Sequence, residues 1–269
     1  MQTAEYLLAG ALAEVERLRL QARVWEPEAE RMLDEIGINR GSIGIDVGCG
    51  PMGILGLLAR RAGPNGLVVG LDSDPAQLEA ARQYAAEHGF GNVEIRRGDL
   101  FAADLMAGRF DVVHARFVLA PIGREQEILD QLLRVARPGG VIALEEPDAE
   151  TWQCYPRSAA WDCLKIAVLD AFTSGGGDFS AGARIASLLR SRRIRRVRVR
   201  DAVLTLPGSH PYARLLLQFA RALRPKILSR AFLDELQLDD AIERCEEALE
   251  VSSCFIQSFR LVQAWGWKR

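Results

Sequence analysis

The sequence predicts an α/β fold: a doubly wound, seven-stranded, mostly parallel sheet, with helices at the N-terminus and a helical cap inserted before the last strand. Three observations carry this. From Gly41 to Pro147, short apolar runs alternate with helical stretches of about 10–15 residues, as in parallel strands covered on both faces. The first run, Ile43-Gly44-Ile45-Asp46-Val47, ends in the glycine turn Gly48-Cys49-Gly50-Pro51-Met52-Gly53 before a helix begins. After Pro147 a looser, helix-rich stretch separates a basic strand from a closing strand-like run.

Taken in order, Thr3–Leu33 carries a helical pattern (Leu7, Leu8, Ala11, Leu12, Val15, Leu18) broken near Pro27. Ile43–Val47 is the first strand. A helix from about Met52 to Arg61 is stopped by Gly63-Pro64-Asn65-Gly66. Leu67–Leu71 is the second strand, and Pro75 opens a helix closing near Gly89. Val93–Arg96 and Phe110–Ala115 are strands three and four. A helix burying Ile128, Leu129, Leu132, Leu133 and Val135 ends at Pro138-Gly139-Gly140, and Val141–Leu144 is strand five. Tyr155–Phe172 reads as a helix, Ser174–Gly177 as a flexible loop, Ala181–Arg190 as a short helix and Arg193–Leu204 as a basic strand. Ser209 and Pro211 mark a new helix start, with an apolar face of Leu215, Leu216, Phe219, Ala220 and Leu223. Phe232–Leu249 is a further helix and Cys254–Trp265 the closing strand. The expected organisation is an N-terminal segment (1–40) covering the ligand site, a core of 41–208 and 251–269, and a cap of 209–250 lying over the ligand end as a lid.

Composition narrows the function classes. With 269 residues, 49% hydrophobic and 26% charged, the chain can bury a sizeable core. A net charge of −2 does not favour nucleic acid or an anionic membrane as partner. No apolar run reaches the roughly 18 residues of a membrane span, and the N-terminus, charged from Glu5 onward, has no signal-peptide pattern. The five cysteines (Cys49, Cys154, Cys163, Cys245, Cys254) are scattered and form no C-x-x-C pair. They read as reduced thiols of a cytoplasmic protein with no metal site. The arginines between Arg190 and Arg200 lack interleaved aromatics and read as an outward strand face.

Gly48, Gly50 and Gly53 satisfy G-x-G-x-x-G, which alone suits a dinucleotide equally well. A dinucleotide, however, presses a doubly charged pyrophosphate against this turn, where Asp46 would repel it. S-adenosylmethionine presents a sulfonium and an ammonium instead, and a carboxylate attracts both. Asp72, ending strand two, can accept both ribose hydroxyls, although Asp72-Ser73-Asp74-Pro75 is also a good helix start. Asp99, after strand three, either accepts the adenine amino group or closes a turn. Three acidic residues thus fall at successive strand ends on one rim.

The set Asp46-Val47-Gly48-Cys49-Gly50, Asp72, Gly98-Asp99, Phe110-Asp111-Val112-Val113 and Leu133–Gly140 resembles the class I S-adenosylmethionine-dependent methyltransferases over roughly Gly41–Leu144. The wider chain, including Val262-Gln263-Ala264-Trp265-Gly266, is similar to small-molecule methyltransferases of the natural-product type. The resemblance implies a Rossmann-like fold, S-adenosyl-L-methionine as cofactor and a small-molecule acceptor in secondary metabolism. It assigns Asp46, Gly48 and Gly50 to the methionine moiety, Asp72 to the ribose, and Asp99 with Leu100 to the adenine. Ala115 and Arg116 face the methionine end, and Cys49, Ser73 and Gly98 complete the set. Met52 stands where the family pattern has glycine, so Gly53 is expected to take over the close approach. Tyr6, Arg23 and Trp25 belong to a segment that in such enzymes can close over the cofactor. An aromatic ring near the sulfonium gains about 0.5–2 kcal/mol. Packing on the sheet edge is the alternative.

Methyl transfer is an in-line displacement and needs a general base only when the nucleophile arrives protonated. The candidates are His210 at the start of the lid helix, His114 within strand four, and Glu146, flanked by Glu145 and Asp148, after strand five. Their structural alternatives are a helix cap, a packed strand residue and solvated loop carboxylates. Trp152, Tyr155, Trp161 and Phe172 line an aromatic acceptor pocket or form a core. The competing functions are a nicotinamide-dependent oxidoreductase and a methyltransferase-fold protein repurposed for isomerisation, cyclisation or ligand binding. The chain is expected to act as a monomer or homodimer.

Overall fold

A computed structural model describes residues 12–103 and 105–269. Helix α1 (Leu12–Ile36) is followed by β1 (Ile43–Val47), α2 (Leu55–Ala62), β2 (Leu67–Asp72), α3 (Pro75–Glu87), β3 (Val93–Arg97) and β4 (Phe110–Arg116). A single turn, α4 (Leu119–Ile122), leads into α5 (Glu125–Val135) and β5 (Ala136–Asp148). Next come β6 (Gln153–Tyr155), α6 (Ala159–Ser174), α7 (Gly182–Ser191), β7 (Arg195–Ala202) and β8 (Thr205–Pro207). The chain closes with α8 (Leu215–Ala222), α9 (Arg224–Ser229), α10 (Glu235–Glu250), β9 (Phe255–Gln257) and β10 (Arg260–Trp267).

Seven strands form the predicted sheet, in the order β3-β2-β1-β4-β5-β10-β7. The first five in chain order run parallel, while β10 is antiparallel to both β5 and β7. Helices cover both faces. Met32, Leu33, Leu55, Leu58 and Ala81 pack one side from α1, α2 and α3; Ile128, Leu132, Ile185 and Leu189 pack the other from α5 and α7. The β5 strand runs past the expected end at Leu144 because β10 pairs with it as far as Asp148. Edge strand β7 is blunted by its arginines, with Arg200 bonded to Glu28 at 2.8 Å.

Two local expectations change. The helix does not break at Pro27: α1 is continuous, with Pro27 inside it. An internal proline costs about 3 kcal/mol. It is offset by the full burial of Trp25 before it and of Ala29, Met32 and Leu33 after it, since each large apolar side chain contributes about 1.5–3 kcal/mol. The helix expected from Tyr155 starts at Ala159, where the Ser158 hydroxyl accepts from the Trp161 amide. Gln153–Tyr155 is drawn instead into a small second sheet, β6-β9-β8.

That second sheet packs into one hydrophobic cluster with the helices expected as a cap, a cluster that takes in α6 as well as residues 209–250. Helix α6 packs against α8, α9 and α10 rather than joining the main sheet. The cap core gathers Trp152, Trp161, Phe172, Phe179, Phe219 and Phe259. Trp152 stacks on Phe179 at 5.4 Å and meets Phe219 and Phe259 edge-on, the offset and T-shaped geometries that aromatic quadrupoles favour. Trp152, Trp161 and Phe172 are therefore core residues rather than the walls of an acceptor pocket, and Tyr155 stacks on Phe255. Trp25 joins this core through Phe259 and donates its indole N–H to the Tyr212 hydroxyl at 2.9 Å. Helix α1 thereby ties the cap to the sheet.

Candidate functional site

A cavity of about 400 Å³ opens at the carboxyl ends of β1, β2 and β4, where the strand order reverses. Doubly wound sheets hold their ligands at this position, and the volume lies within the usual range for small-molecule sites.

The turn after β1 is tied down from within. The Gly48 and Cys49 amides both donate to the Leu71 carbonyl, at 2.8 and 3.1 Å, and the Gly50 amide donates to Asp72 Oδ2 at 2.9 Å. Gly53 has φ +44, and a Cβ there would lie 2.1 Å from Asp46 Oδ2. The close approach expected of Gly53 is thus first an approach to Asp46. That carboxylate is only 2% exposed. Its Oδ2 accepts from the Ile54 amide at 2.9 Å, and its Oδ1 lies 2.7 Å from His114 Nδ1.

Asp72 accepts from the Gly50 and Asp74 amides, one on each oxygen. A carboxylate has about four acceptor directions, so capacity for two hydroxyls remains. Burial raises its pKa, partly countered by the amides of Asp74 and Gly50. Asp99 Oδ1 accepts from the Phe101 amide at 2.7 Å, closing a turn, and the residue stays exposed on the cavity rim. Arg124 lies 3.9 Å above the Phe101 ring and walls the same end. Cys49 is a buried neutral thiol: desolvation, with the Asp46 and Asp72 charges, holds its pKa well above the ordinary range.

The cavity's opposite end carries a cation. Arg116 is 8% exposed; its Nη2 donates to the Gly53 carbonyl at 3.3 Å. Its buried Nη1 has no hydrogen-bond partner among the described residues and lies 4.0 Å from Glu145 Oε1. A desolvated guanidinium N–H left unpaired costs about 1–3 kcal/mol or more. The residue as a whole lines the cavity, so its positive charge favours a ligand bearing an anionic group at this end.

Of the expected cofactor residues, Asp46, Gly48, Cys49, Gly50, Asp72, Ser73, Gly98, Asp99, Leu100 and Arg116 line this one cavity. Ala115 is packed in the sheet core and Arg23 is exposed, and neither lines it. Tyr6 lies outside the described residues. None of the three base candidates lines the cavity. His210 Nδ1 accepts from the Tyr212 amide and caps the turn Pro211–Arg214. Glu146 is fully buried and accepts from the Val118, Leu119 and Ala120 amides at 2.8–3.1 Å. Burial raises its pKa to about 7 against those three donors. His114 is fully buried between Asp46 and Glu145. The sequence reading missed Leu18, Gln21 and Ala22 of α1, together with Phe101, Phe117 and Arg124. The α1 residues had one signal, their i, i+3, i+4 spacing on one helix face.

The family model described as methyltransferase domain matches residues 38–179, just over half of the chain. The chain belongs to this family. Its class is that of the S-adenosylmethionine-dependent class I methyltransferases, and the matched stretch holds every cavity residue outside α1. The nocamycin O-methyltransferase of Saccharothrix syringae is 37% identical over 46% of this chain and 44% of its own length. A demethylmenaquinone methyltransferase of Bacillus cytotoxicus is 32% identical over 46% of this chain and 51% of its own length. The chain thus spans about half the length of these relatives. Among solved structures, the YcgJ protein of Bacillus subtilis superposes with a TM-score of 0.58 over 90% of this chain and 98% of its own, at 16% identity. That likeness shows a shared fold.

Proposed function

We propose that this chain binds S-adenosylmethionine in the cavity and transfers its methyl group to a small-molecule acceptor of secondary metabolism, in the cytoplasm. The observation that carries the reading is the pairing of Asp72, with free acceptor capacity at one end of the cavity, with the Arg116 guanidinium at the other. The first suits a ribose diol and the second an α-carboxylate. The glycine turn argues against a dinucleotide. Its Gly48, Cys49 and Gly50 amides are already committed to Leu71 and Asp72, leaving them no N–H for a pyrophosphate.

When bound, S-adenosylmethionine supplies an electrophilic methyl group on a positively charged sulfur. The chain's own contribution is to bind and align. Asp72 would hold the ribose, Asp99 and Leu100 the adenine, Asp46 and Arg116 the two charges of the methionine end. Leu18 and Ala22 of α1 help exclude water. No histidine lines the cavity among the described residues, so alignment of nucleophile and methyl carries the displacement. The nocamycin and demethylmenaquinone relatives support a small organic acceptor. No described helix is long and apolar enough to cross a membrane.

Calorimetric titration tests the reading: S-adenosylmethionine and S-adenosylhomocysteine should bind, and NAD should not. NAD binding in their place would overturn it. A panel of phenols, amines and other small nucleophiles then identifies the acceptor. Arg116→Ala should weaken S-adenosylhomocysteine by about 10–100-fold, the loss of a charge-assisted hydrogen bond. It should leave 5′-methylthioadenosine, which has no carboxylate, unchanged. Equal losses for both ligands would remove Arg116 from the methionine end.

A further inference from the structure

Beneath the cavity floor lies a charged cluster that the proposed chemistry does not use. Strand register assembles it. His114 is the lateral partner of Asp46 on β1 and of Ala143 on β5. Glu145 follows Ala143 by two residues, so its side chain falls on the same sheet face. His114 Nδ1 lies 2.7 Å from Asp46 Oδ1, and its Nε2 lies 2.8 Å from Glu145 Oε1. Gln263 of β10 donates to Glu145 Oε2 at 2.7 Å, and Arg116 Nη1 stands 4.0 Å from Glu145 Oε1. His114, Glu145 and Gln263 are fully buried.

These contacts define the proton count. A neutral imidazole has one N–H and one lone pair, whereas an imidazolium has two N–H donors. Two carboxylate oxygens at hydrogen-bond distance from the two ring nitrogens are both satisfied only by the imidazolium. A neutral ring would set a lone pair against one carboxylate, out of contact with water.

We infer that His114 is a positioning residue of the cofactor site: as the shared cation of Asp46 and Glu145, it fixes the Asp46 carboxylate at the cavity wall and holds Glu145 beside Arg116. The inference rests on the cofactor reading above. Asp46, Glu145, the imidazolium and the Arg116 guanidinium sum to zero charge. The two members that reach the cavity, Asp46 and Arg116, offer one charge of each sign. The methionine end of the cofactor is a zwitterion and meets its complement there. Loss of the His114 proton would leave this desolvated floor with an uncompensated negative charge.

Burial alone would lower the pKa of His114. The Asp46 charge and hydrogen bond, then those of Glu145, overcome it and raise the value to about 9. Glu145 is pushed up by burial but held below its ordinary value by His114, Arg116 and Gln263. Because the folded value of His114 lies above the unfolded one, its contribution is complete at low pH and is lost as pH rises through about 9. Cofactor affinity that depends on this proton should follow the same course.

The test is calorimetric binding of S-adenosylhomocysteine from about pH 6.5 to about pH 10 by wild type, His114→Gln and Glu145→Gln, with 5′-methylthioadenosine as control. The ammonium of S-adenosylhomocysteine titrates identically in wild type and variants and is absent from 5′-methylthioadenosine, so the His114 step is read as the difference between wild type and His114→Gln with the same ligand. Wild type should lose about tenfold in affinity as pH passes about 9, with the control unchanged. His114→Gln should start about tenfold weaker at neutral pH and keep only the part of that step that the ligand's own ammonium causes. Nitrogen-15 spectra of the wild type give a readout independent of the variants' folding. The chain has three histidines, and the His114 resonances should report both ring nitrogens protonated at about pH 8. A neutral His114 at that pH, or identical binding profiles in wild type and a folded His114→Gln, overturns the inference. A wild type that binds neither ligand at any pH overturns the cofactor reading and this inference with it.

Discussion

Asp72→Ala should weaken S-adenosylmethionine binding by about a hundredfold or more. The carboxylate is proposed to accept both ribose hydroxyls, and hydrogen bonds to a charged group contribute about 1.5–3 kcal/mol each. The same side chain also accepts the Gly50 and Asp74 amides, so its removal frees the glycine turn on one side and the start of α3 on the other. Asp72→Asn keeps the shape and one acceptor oxygen and should fall between the two. The measurement is calorimetric affinity, with thermal melting to confirm the fold. Wild-type affinity in Asp72→Ala would contradict the assigned ribose contact.

The second large effect is expected at Gly53. A methyl group there would sit 2.1 Å from Asp46 Oδ2 and 2.8 Å from the Cys49 carbonyl oxygen, on a backbone at φ +44. Asp46 cannot yield cheaply, because one oxygen holds the Ile54 amide and the other holds His114. Left-handed backbone costs a non-glycine residue about 1–2 kcal/mol, and overpacking adds about 1–3 kcal/mol. Gly53→Ala should therefore lower unfolding stability by about 2–5 kcal/mol and abolish cofactor binding. Gly89→Ala is the control, with φ +67 and nothing within 4 Å of the added methyl. It carries the backbone cost alone. Equal destabilisation of the two variants in denaturant unfolding would dismiss the clash.

What could be read in the sequence, and what could not, divides along physical lines. The first strand, Ile43–Val47, falls where the apolar run places it, and the starts of β2, α3, β3 and β4 match their turn and proline signals. Each is a local pattern with a local stop. The acidic rim of the cavity was readable for the same reason, since Asp46 lies near the end of β1, Asp72 ends β2 and Asp99 follows β3, each strand with a marked end. The elements that escaped are β6 and β8, three residues each, too short to display a period, and the short helices α4, one turn around Pro121, and α9, while β9 was read as one run with β10. The buried charge cluster escaped for a different reason. His114, Asp46, Glu145 and Gln263 come together only through the lateral register of four strands, which no single stretch encodes. The aromatic residues posed a third problem. Trp152, Trp161 and Phe172 have the same composition whether they enclose a ligand or each other, and only the packing of α6 against α8–α10 decides between the two.

The position of β10 has a consequence for how the molecule is made. This strand lies between β5 and β7, hydrogen-bonded to both, yet follows both in the chain. As the polypeptide leaves the ribosome, β5 is complete while its outer edge still awaits β10, and β7 has no strand to pair with, so both present unpaired amides and carbonyls. The helices of the cap must then be synthesised before the filling strand arrives. A nascent chain stalled in that interval would offer a ready template to any extended peptide, so protection by a chaperone should matter most over this stretch of translation.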